Sequence, residues 1–171
     1  GHIVLEFIHG ELWPWPWNAM SESGRAEQFI DTLRDVHRLP AIEGWYSPFR
    51  SIAGQVDTLH EMGLGIPGEF ERLLGPLYEI EDELNQQKPM VGLCHNDLGR
   101  MNMLDDGSLR ILDWEWAGMG DIFFDLGFLT VNLGMSSTQK HELLEMYFGH
   151  TSDELFGRLE RMVFAAHLRE T

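Results

Sequence analysis

The segment from Cys94 to Asp113 constrains this chain more than any other. Met90-Val91-Gly92-Leu93-Cys94 has the length and apolar content of a short buried strand. Asn102-Met103-Leu104 and Leu109-Arg110-Ile111-Leu112 flank the turn sequence Asp105-Asp106-Gly107, and together they predict a hairpin. His95, Asp97, Asn102 and Asp113 stand at the ends of these apolar pieces. Pairing of the two arms brings Asn102, at the start of one, towards Asp113, just past the end of the other. Asp and Asn favour turns on their own account, and Asp-x4-Asn alone is a weak signal. The conjunction of His-x-Asp-x4-Asn, a glycine-containing turn, a hydrophobic pair and then an acid is a specific one.

The rest of the chain reads as mostly helical. His2 to Ile8 is β-branched and apolar-rich and predicts a strand ending at Gly10. Glu11 to Met20 contains Trp13-Pro14-Trp15-Pro16-Trp17, where each residue before a proline is steered away from the α region. That stretch is expected to be an extended loop folded back onto the core, in preference to a ligand platform. Ser21 or Ser23 can cap a helix to about Arg38 that buries Ala26, Phe29, Ile30, Leu33 and Val36, with His37 packed near the end of the stripe. A helix over Pro48 to Met62 puts Phe49, Ile52, Val56 and Leu59 on one face.

Gly63-Leu64-Gly65-Ile66-Pro67-Gly68 fits G-x-G-x-x-G, but that fingerprint needs a preceding strand, and a helix precedes it here. A turn between helices is the better reading. The next helix, about Gly68 to Gln87, is expected to bury Phe70, Leu73, Leu74, Leu77, Ile80 and Leu84 and to turn Glu79, Glu81, Asp82 and Glu83 to solvent. Phe123 to Asn132 predicts another helix. Ser136 with Gln139, and Thr151 with Glu154, each fit a capping box, and Leu155, Leu159, Met162 and Ala166 mark the inner face of the last helix. The fold class is therefore α+β, mostly helical with a small β-hairpin. We divide the single domain, 1–171, into a strand over 1–10, a helical part over 11–89, a catalytic and metal-binding segment over 90–135 and C-terminal helices over 136–171.

Composition narrows the function classes. A hydrophobic fraction of 43% with 10 Phe and 6 Trp among 171 residues supports a sizeable core. A formal charge of -16 is wrong for a nucleic-acid partner, whose phosphates need Lys and Arg, and it suits attraction of cations. Cys94 is the single cysteine, which excludes an internal disulfide and leads us to expect a cytoplasmic location. No run approaches the roughly 18 apolar residues that a membrane span needs, so no membrane partner is expected.

The chemistry that fits an acid, an amide and a second acid in this order is phosphoryl transfer. Protein kinases use a catalytic-loop Asp, four residues, a metal-binding Asn, and a metal-binding Asp on the next strand. Asp97 can orient an acceptor hydroxyl and take its proton. Mg2+ prefers oxygen ligands and keeps several waters, so Asn102 and Asp113 suffice beside the phosphates of ATP. His95 is expected to hold the loop by hydrogen bonding.

Cys94-His95-Asn96-Asp97 to Asn102, then Leu112-Asp113-Trp114-Glu115-Trp116-Ala117-Gly118-Met119-Gly120-Asp121 and Phe124-Asp125-Leu126-Gly127, resemble the aminoglycoside phosphotransferase/choline kinase superfamily. The wording is most similar to bacterial choline/ethanolamine kinase-like proteins. The resemblance is specific from about Cys94 to Gly149. It is weaker at Leu5-Glu6-Phe7-Ile8-x-Gly10, which is similar to the hinge strand between the two lobes. It implies a protein-kinase-like C-terminal lobe. It gives Asp97 the role of catalytic base, and Asn102 and Asp113 those of Mg2+ ligands. Backbone groups of Glu6 and Ile8 would meet the adenine of ATP, and Leu104 and Leu112 would floor its pocket. Asp121 and Asp125 would brace the catalytic loop with His95, and Glu115 and Trp116 would face the acceptor. A choline-type acceptor would be held by cation-π contacts and carboxylates.

One departure stands out. Kinases of this family carry a phosphate-covering loop and a strand lysine ahead of the hinge, whereas the lysines here are Lys88 and Lys140, both downstream. The expectation is a C-terminal lobe, cut by design or by gene truncation and inactive alone. The whole enzyme would transfer the γ-phosphate of ATP to choline, ethanolamine or a similar small cationic amino alcohol. An aminoglycoside or thiamine is the alternative acceptor, and a non-catalytic kinase remnant that binds a ligand is the alternative of another class. Ile3, Leu5 and Phe7 would expose an apolar face that favours self-association.

Overall fold

A computed structural model describes residues 6–171. Two small antiparallel sheets carry the segment from Val91 to Asp121. In one, β1 (Glu11–Leu12) pairs with β3 (Met103–Asp105), which pairs with β4 (Leu109–Ile111). In the other, β2 (Val91–Cys94) pairs with β5 (Gly118–Asp121). The helices are α1 (Trp17–Glu22), α2 (Arg25–His37), α3 (Pro48–Glu61), α4 (Gly68–Asn85), α5 (Ile122–Leu133), α6 (Ser137–Phe148) and α7 (Asp153–Arg169).

The hairpin forms where the turn chemistry puts it, with Met103 opposite Ile111 and Asp105 opposite Leu109. Gly107 adopts φ 105°, a region that residues with a Cβ rarely enter, while the Asp105 and Asp106 carboxylates accept from the backbone amides two residues on, those of Gly107 and Ser108. The core is built round α5, which is buried over most of its length and packs Phe123, Phe124, Leu126, Phe128 and Leu129 inside, with Asp125 as a buried acid among them. Against it lies α7, whose Leu155, Leu159, Met162 and Ala166 are buried as the periodicity requires. The two backbones touch at Gly127, where a Cβ would stand 2.8 Å from the Met162 carbonyl carbon.

Several local expectations are corrected. Of the strand expected over His2 to Ile8, residues 1–5, including Ile3 and Leu5, lie outside the described ones. Residues 6–10 are irregular, and a two-residue strand at Glu11–Leu12, not expected from the sequence, pairs with β3. Phe7 is 78% exposed. The first helix is two: α1 begins at Trp17 behind Pro16, and Gly24, at φ 69°, breaks it from α2 with no side-chain cap from Ser21 or Ser23. Trp13 and Trp17 are each 1% exposed, so the tryptophan loop belongs to the core.

Gly63 to Gly68 is the turn between α3 and α4. In α4 only Leu77 and Leu84 are fully buried; Leu73 is 39% exposed because one face of the helix borders an open groove. The Ser136–Gln139 capping box is present, but α7 is capped by Ser152, with no capping box at Thr151. β5 was not anticipated.

Candidate active site

His95 to Leu98 leave β2 as a loop, and Asn96 takes a left-handed turn at φ 66°, a conformation Asn tolerates better than most residues. Its amide donates to the Trp116 carbonyl at 2.9 Å, which ties the loop to the 3-10 turn Trp114–Trp116. Asp125, fully buried on α5, accepts from the amides of His95 at 2.8 Å and Asn96 at 2.7 Å, and from His37 Nε2 at 3.0 Å. Tyr147 on α6 completes the chain, 2.6 Å from His37 Nδ1. A buried carboxylate needs such donors, and these hold the loop on the helical core. His37 is a satisfied core residue.

His95 spans the site. Its Nδ1 accepts from the Asp97 amide at 3.2 Å, which leaves Nε2–H to donate to the Leu112 carbonyl at 2.8 Å. The loop bearing Asp97 and the strand end bearing Asp113 are therefore tied through one imidazole, packed edge-on to Trp114.

Asn102 ends a 3-10 turn, Arg100–Asn102, and its Nδ2 donates to both the backbone carbonyl and Oδ2 of Asp97, at 2.9 and 3.0 Å. With the amide nitrogen committed, the carbonyl oxygen Oδ1 makes no hydrogen bond to the described residues and is left as a free acceptor. Asp113 has φ 62°, is exposed, and makes no side-chain hydrogen bond to the described residues. An amide oxygen and an unpaired carboxylate are oxygen donors of the kind Mg2+ takes.

The other expected positions fall unevenly. Leu104 and Leu112 are half-buried on and beside the hairpin. Ile8 lines a recess of about 490 Å3 with Phe7, His9, Gly10, Glu11, Asp105 and Asp106, and Glu6 is exposed and does not line it. Glu115 is exposed on the 3-10 turn, and Trp116 is 43% exposed. Asp121 does not touch the loop: it caps α5 through the Phe123 amide at 3.1 Å and pairs with buried Arg158.

Two residues at the site escaped the sequence reading. Arg169 on α7 pairs with Asp97 Oδ1 at 3.2 Å, and its guanidinium lies over the rings of Trp116 and Phe128, at 5.4 and 5.0 Å. Tyr46 is nearby, its pKa raised by burial and partly offset by Arg169. The signal for Arg169 was its place three residues after Ala166, on the stripe assigned to the core. Arg158 sits on the same stripe.

The model of the phosphotransferase enzyme family matches residues 3–161. The chain belongs to that family. Protein LicA of Haemophilus influenzae is 35% identical over 84 residues, which cover 48% of this chain and 31% of that protein. A choline/ethanolamine kinase family protein from Mesorhizobium loti superposes with a TM-score of 0.81 at 23% identity, over 96% of this chain and 57% of that one. Choline kinase LicA from Streptococcus pneumoniae gives a TM-score of 0.66 at 19% identity, over 94% of this chain and 66% of that one. The chain thus spans less than two thirds of these relatives' length. At these identities the structures establish the kinase-like fold. No described helix is long and apolar enough to cross a membrane.

Proposed function

We propose that this chain is the catalytic and metal-binding lobe of a kinase that transfers the γ-phosphoryl group of ATP to the hydroxyl of a small amino alcohol, choline or ethanolamine foremost. The observation that carries the reading is the Asn102 amide, whose nitrogen is spent on Asp97, which leaves its oxygen free to take a cation together with the carboxylate of Asp113. Asp97 would accept the acceptor's proton as its oxygen attacks phosphorus. Asn102 and Asp113 would hold Mg2+, which supplies charge neutralisation to the phosphates when bound. The curated relative shares its name with a solved choline kinase, which supports the acceptor class.

Lys88 lies beyond α4 and Lys140 is paired with Glu160, so neither lysine of the chain is placed in the catalytic segment. We therefore expect the isolated 171-residue chain to bind MgADP and to transfer phosphate slowly at best. Calorimetric titration of MgADP tests the reading. Binding that requires magnesium and is lost in Asn102→Ala and Asp113→Ala supports it; binding insensitive to magnesium or to both variants overturns it. Phosphate transfer from labelled ATP to choline, ethanolamine, thiamine and an aminoglycoside then ranks the acceptors.

A further inference from the structure

Beneath the loop that carries Asp97, three side chains of metal-ligating type converge from separate elements. His37 ends α2, Cys94 ends β2 and Asp125 lies in the first turn of α5. Their imidazole nitrogen, thiol sulfur and carboxylate oxygen all lie within 4.8 Å of one another, and all three residues are buried. His37 Nε2 and Asp125 Oδ2 are 3.0 Å apart. The Cys94 thiol is the loosest member: it donates to the Gly92 carbonyl at 3.6 Å, a weak contact, and the Gly120 backbone amide faces the sulfur. The phosphoryl transfer proposed above uses none of the three as a base or a ligand.

We propose that His37, Cys94 and Asp125 form a binding site for a borderline-soft divalent cation, Zn2+ foremost, separate from the oxygen donors of Asn102 and Asp113. The donor set selects the ion. Zn2+ takes imidazole nitrogen, thiolate sulfur and carboxylate oxygen at about 2.0–2.3 Å, which puts the ligand atoms roughly 3.3–3.6 Å apart. The His37–Asp125 pair therefore opens slightly and Cys94 closes on it. Mg2+, which wants oxygen alone, has no use for the thiolate. The charges also close: a Cys94 thiolate and the Asp125 carboxylate cancel a double positive charge, so the core holds a neutral unit. Burial by itself keeps the proton on Cys94, and a dication beside the sulfur is what releases it. The supporting contacts are in place. Tyr147 Oη lies 2.6 Å from His37 Nδ1, so the imidazole that gives Nε2 to the ion carries its proton on Nδ1 and donates to that hydroxyl. The His95 and Asn96 amides stay on Asp125. One proton leaves per ion bound, that of the thiol, while the imidazole proton moves from Nε2 to Nδ1. The ion fastens α2, β2 and α5 together under the loop.

The test uses Co2+ as a coloured stand-in for Zn2+. Cys94 is the single cysteine, so a sulfur-to-cobalt charge-transfer band reports this site alone, and surface carboxylates or imidazoles that take up Co2+ do not produce it. The chain is refolded from urea with Co2+ present, which makes access to the buried site immaterial. The expected result is a sulfur band that saturates at one ion per chain, is bleached by Zn2+ and survives a large excess of Mg2+. Zn2+ affinity, read by competition with a chromophoric chelator, should fall about tenfold in Tyr147→Phe and further in His37→Gln. Circular dichroism checks that the variants are folded. Tyr147→Phe removes only a hydroxyl, so it and the wild-type band decide the matter if His37→Gln does not fold. A wild type without a sulfur band, a band that Mg2+ abolishes, or equal Zn2+ affinity in wild type and Tyr147→Phe would each overturn the proposal. Its outcome is independent of the kinase reading, which the MgADP titration tests through Asn102 and Asp113.

Discussion

Asp125 is the place where a single oxygen atom should matter most. Its Oδ1 accepts from the Asn96 amide, and its Oδ2 from the His95 amide and His37 Nε2, all within 3.0 Å and fully buried. In Asp125→Asn one oxygen remains. If it takes the place of Oδ2, two bonds survive at neutral strength, and the new NH2 group meets the Asn96 N–H donor to donor. The buried donor left without a partner costs about 1–3 kcal/mol, and weakening two charge-assisted bonds adds about 1 kcal/mol. We expect a loss of about 3 kcal/mol, a large share of the stability of an ordinary domain. At a urea dependence of about 2 kcal/mol per M, the unfolding midpoint should fall by roughly 1.5 M with the slope unchanged. Hydrogen exchange at His95 and Asn96 should accelerate together. A midpoint within roughly 0.3 M of wild type, a shift well below that expected from an orphaned buried donor, would refute the reasoning.

Three further outcomes follow from the geometry. Gly127→Ala pushes a methyl to 2.8 Å from the Met162 backbone, between two helices that cannot both give way. A cost of about 1–3 kcal/mol, or roughly 3–10 °C in calorimetric Tm, is expected. Asp113→Ala removes an exposed carboxylate, so Tm should hold while magnesium-dependent MgADP binding is lost in titration. Burial pushes the Cys94 thiol and the Tyr147 phenol up, with Asp125 adding to both. A raised folded pKa stabilises fully below the unfolded value and is lost as pH rises past it. Stability should therefore decline above about pH 8.5 through Cys94 and more steeply above about pH 10 through Tyr147, by up to about 1.4 kcal/mol per unit for each group. Urea melts from pH 7 to 11 check this, and a flat profile would contradict it. Native Cys94 should also resist a thiol reagent that labels the unfolded chain.

The hairpin, the catalytic loop and the α5–α7 core were legible because each is written locally, as turn residues between apolar pieces or as a stripe at helical spacing. β5 was not. Gly118-Met119-Gly120-Asp121 has no β-branched residue, and it becomes a strand because its glycines admit the backbone of Gly44 to Tyr46 on one side and β2 on the other. That is a tertiary cause with no local mark. Ser152 displaced Thr151 as a cap by one position, a choice between neighbours that pattern alone does not resolve. In the candidate site, Asp97, Asn102 and Asp113 are singled out by spacing, and the structure brings Asn102 against Asp97. Arg169 lay 72 positions away from Asp97 and was hidden by treating a helix stripe as wholly apolar.

The imidazole of His95, fixed between the Asp97 amide and the Leu112 carbonyl, acts as a gauge block. It sets the gap between Asp97 and the strand end bearing Asp113 without reference to the hairpin turn that joins β3 and β4. The turn from Asp106 to Ser108, between β3 and β4, could then be lengthened, cut or rejoined with the gap preserved. The chain should tolerate a foreign insert at Gly107, while any change in the girth of residue 95 re-spaces the chemistry at once.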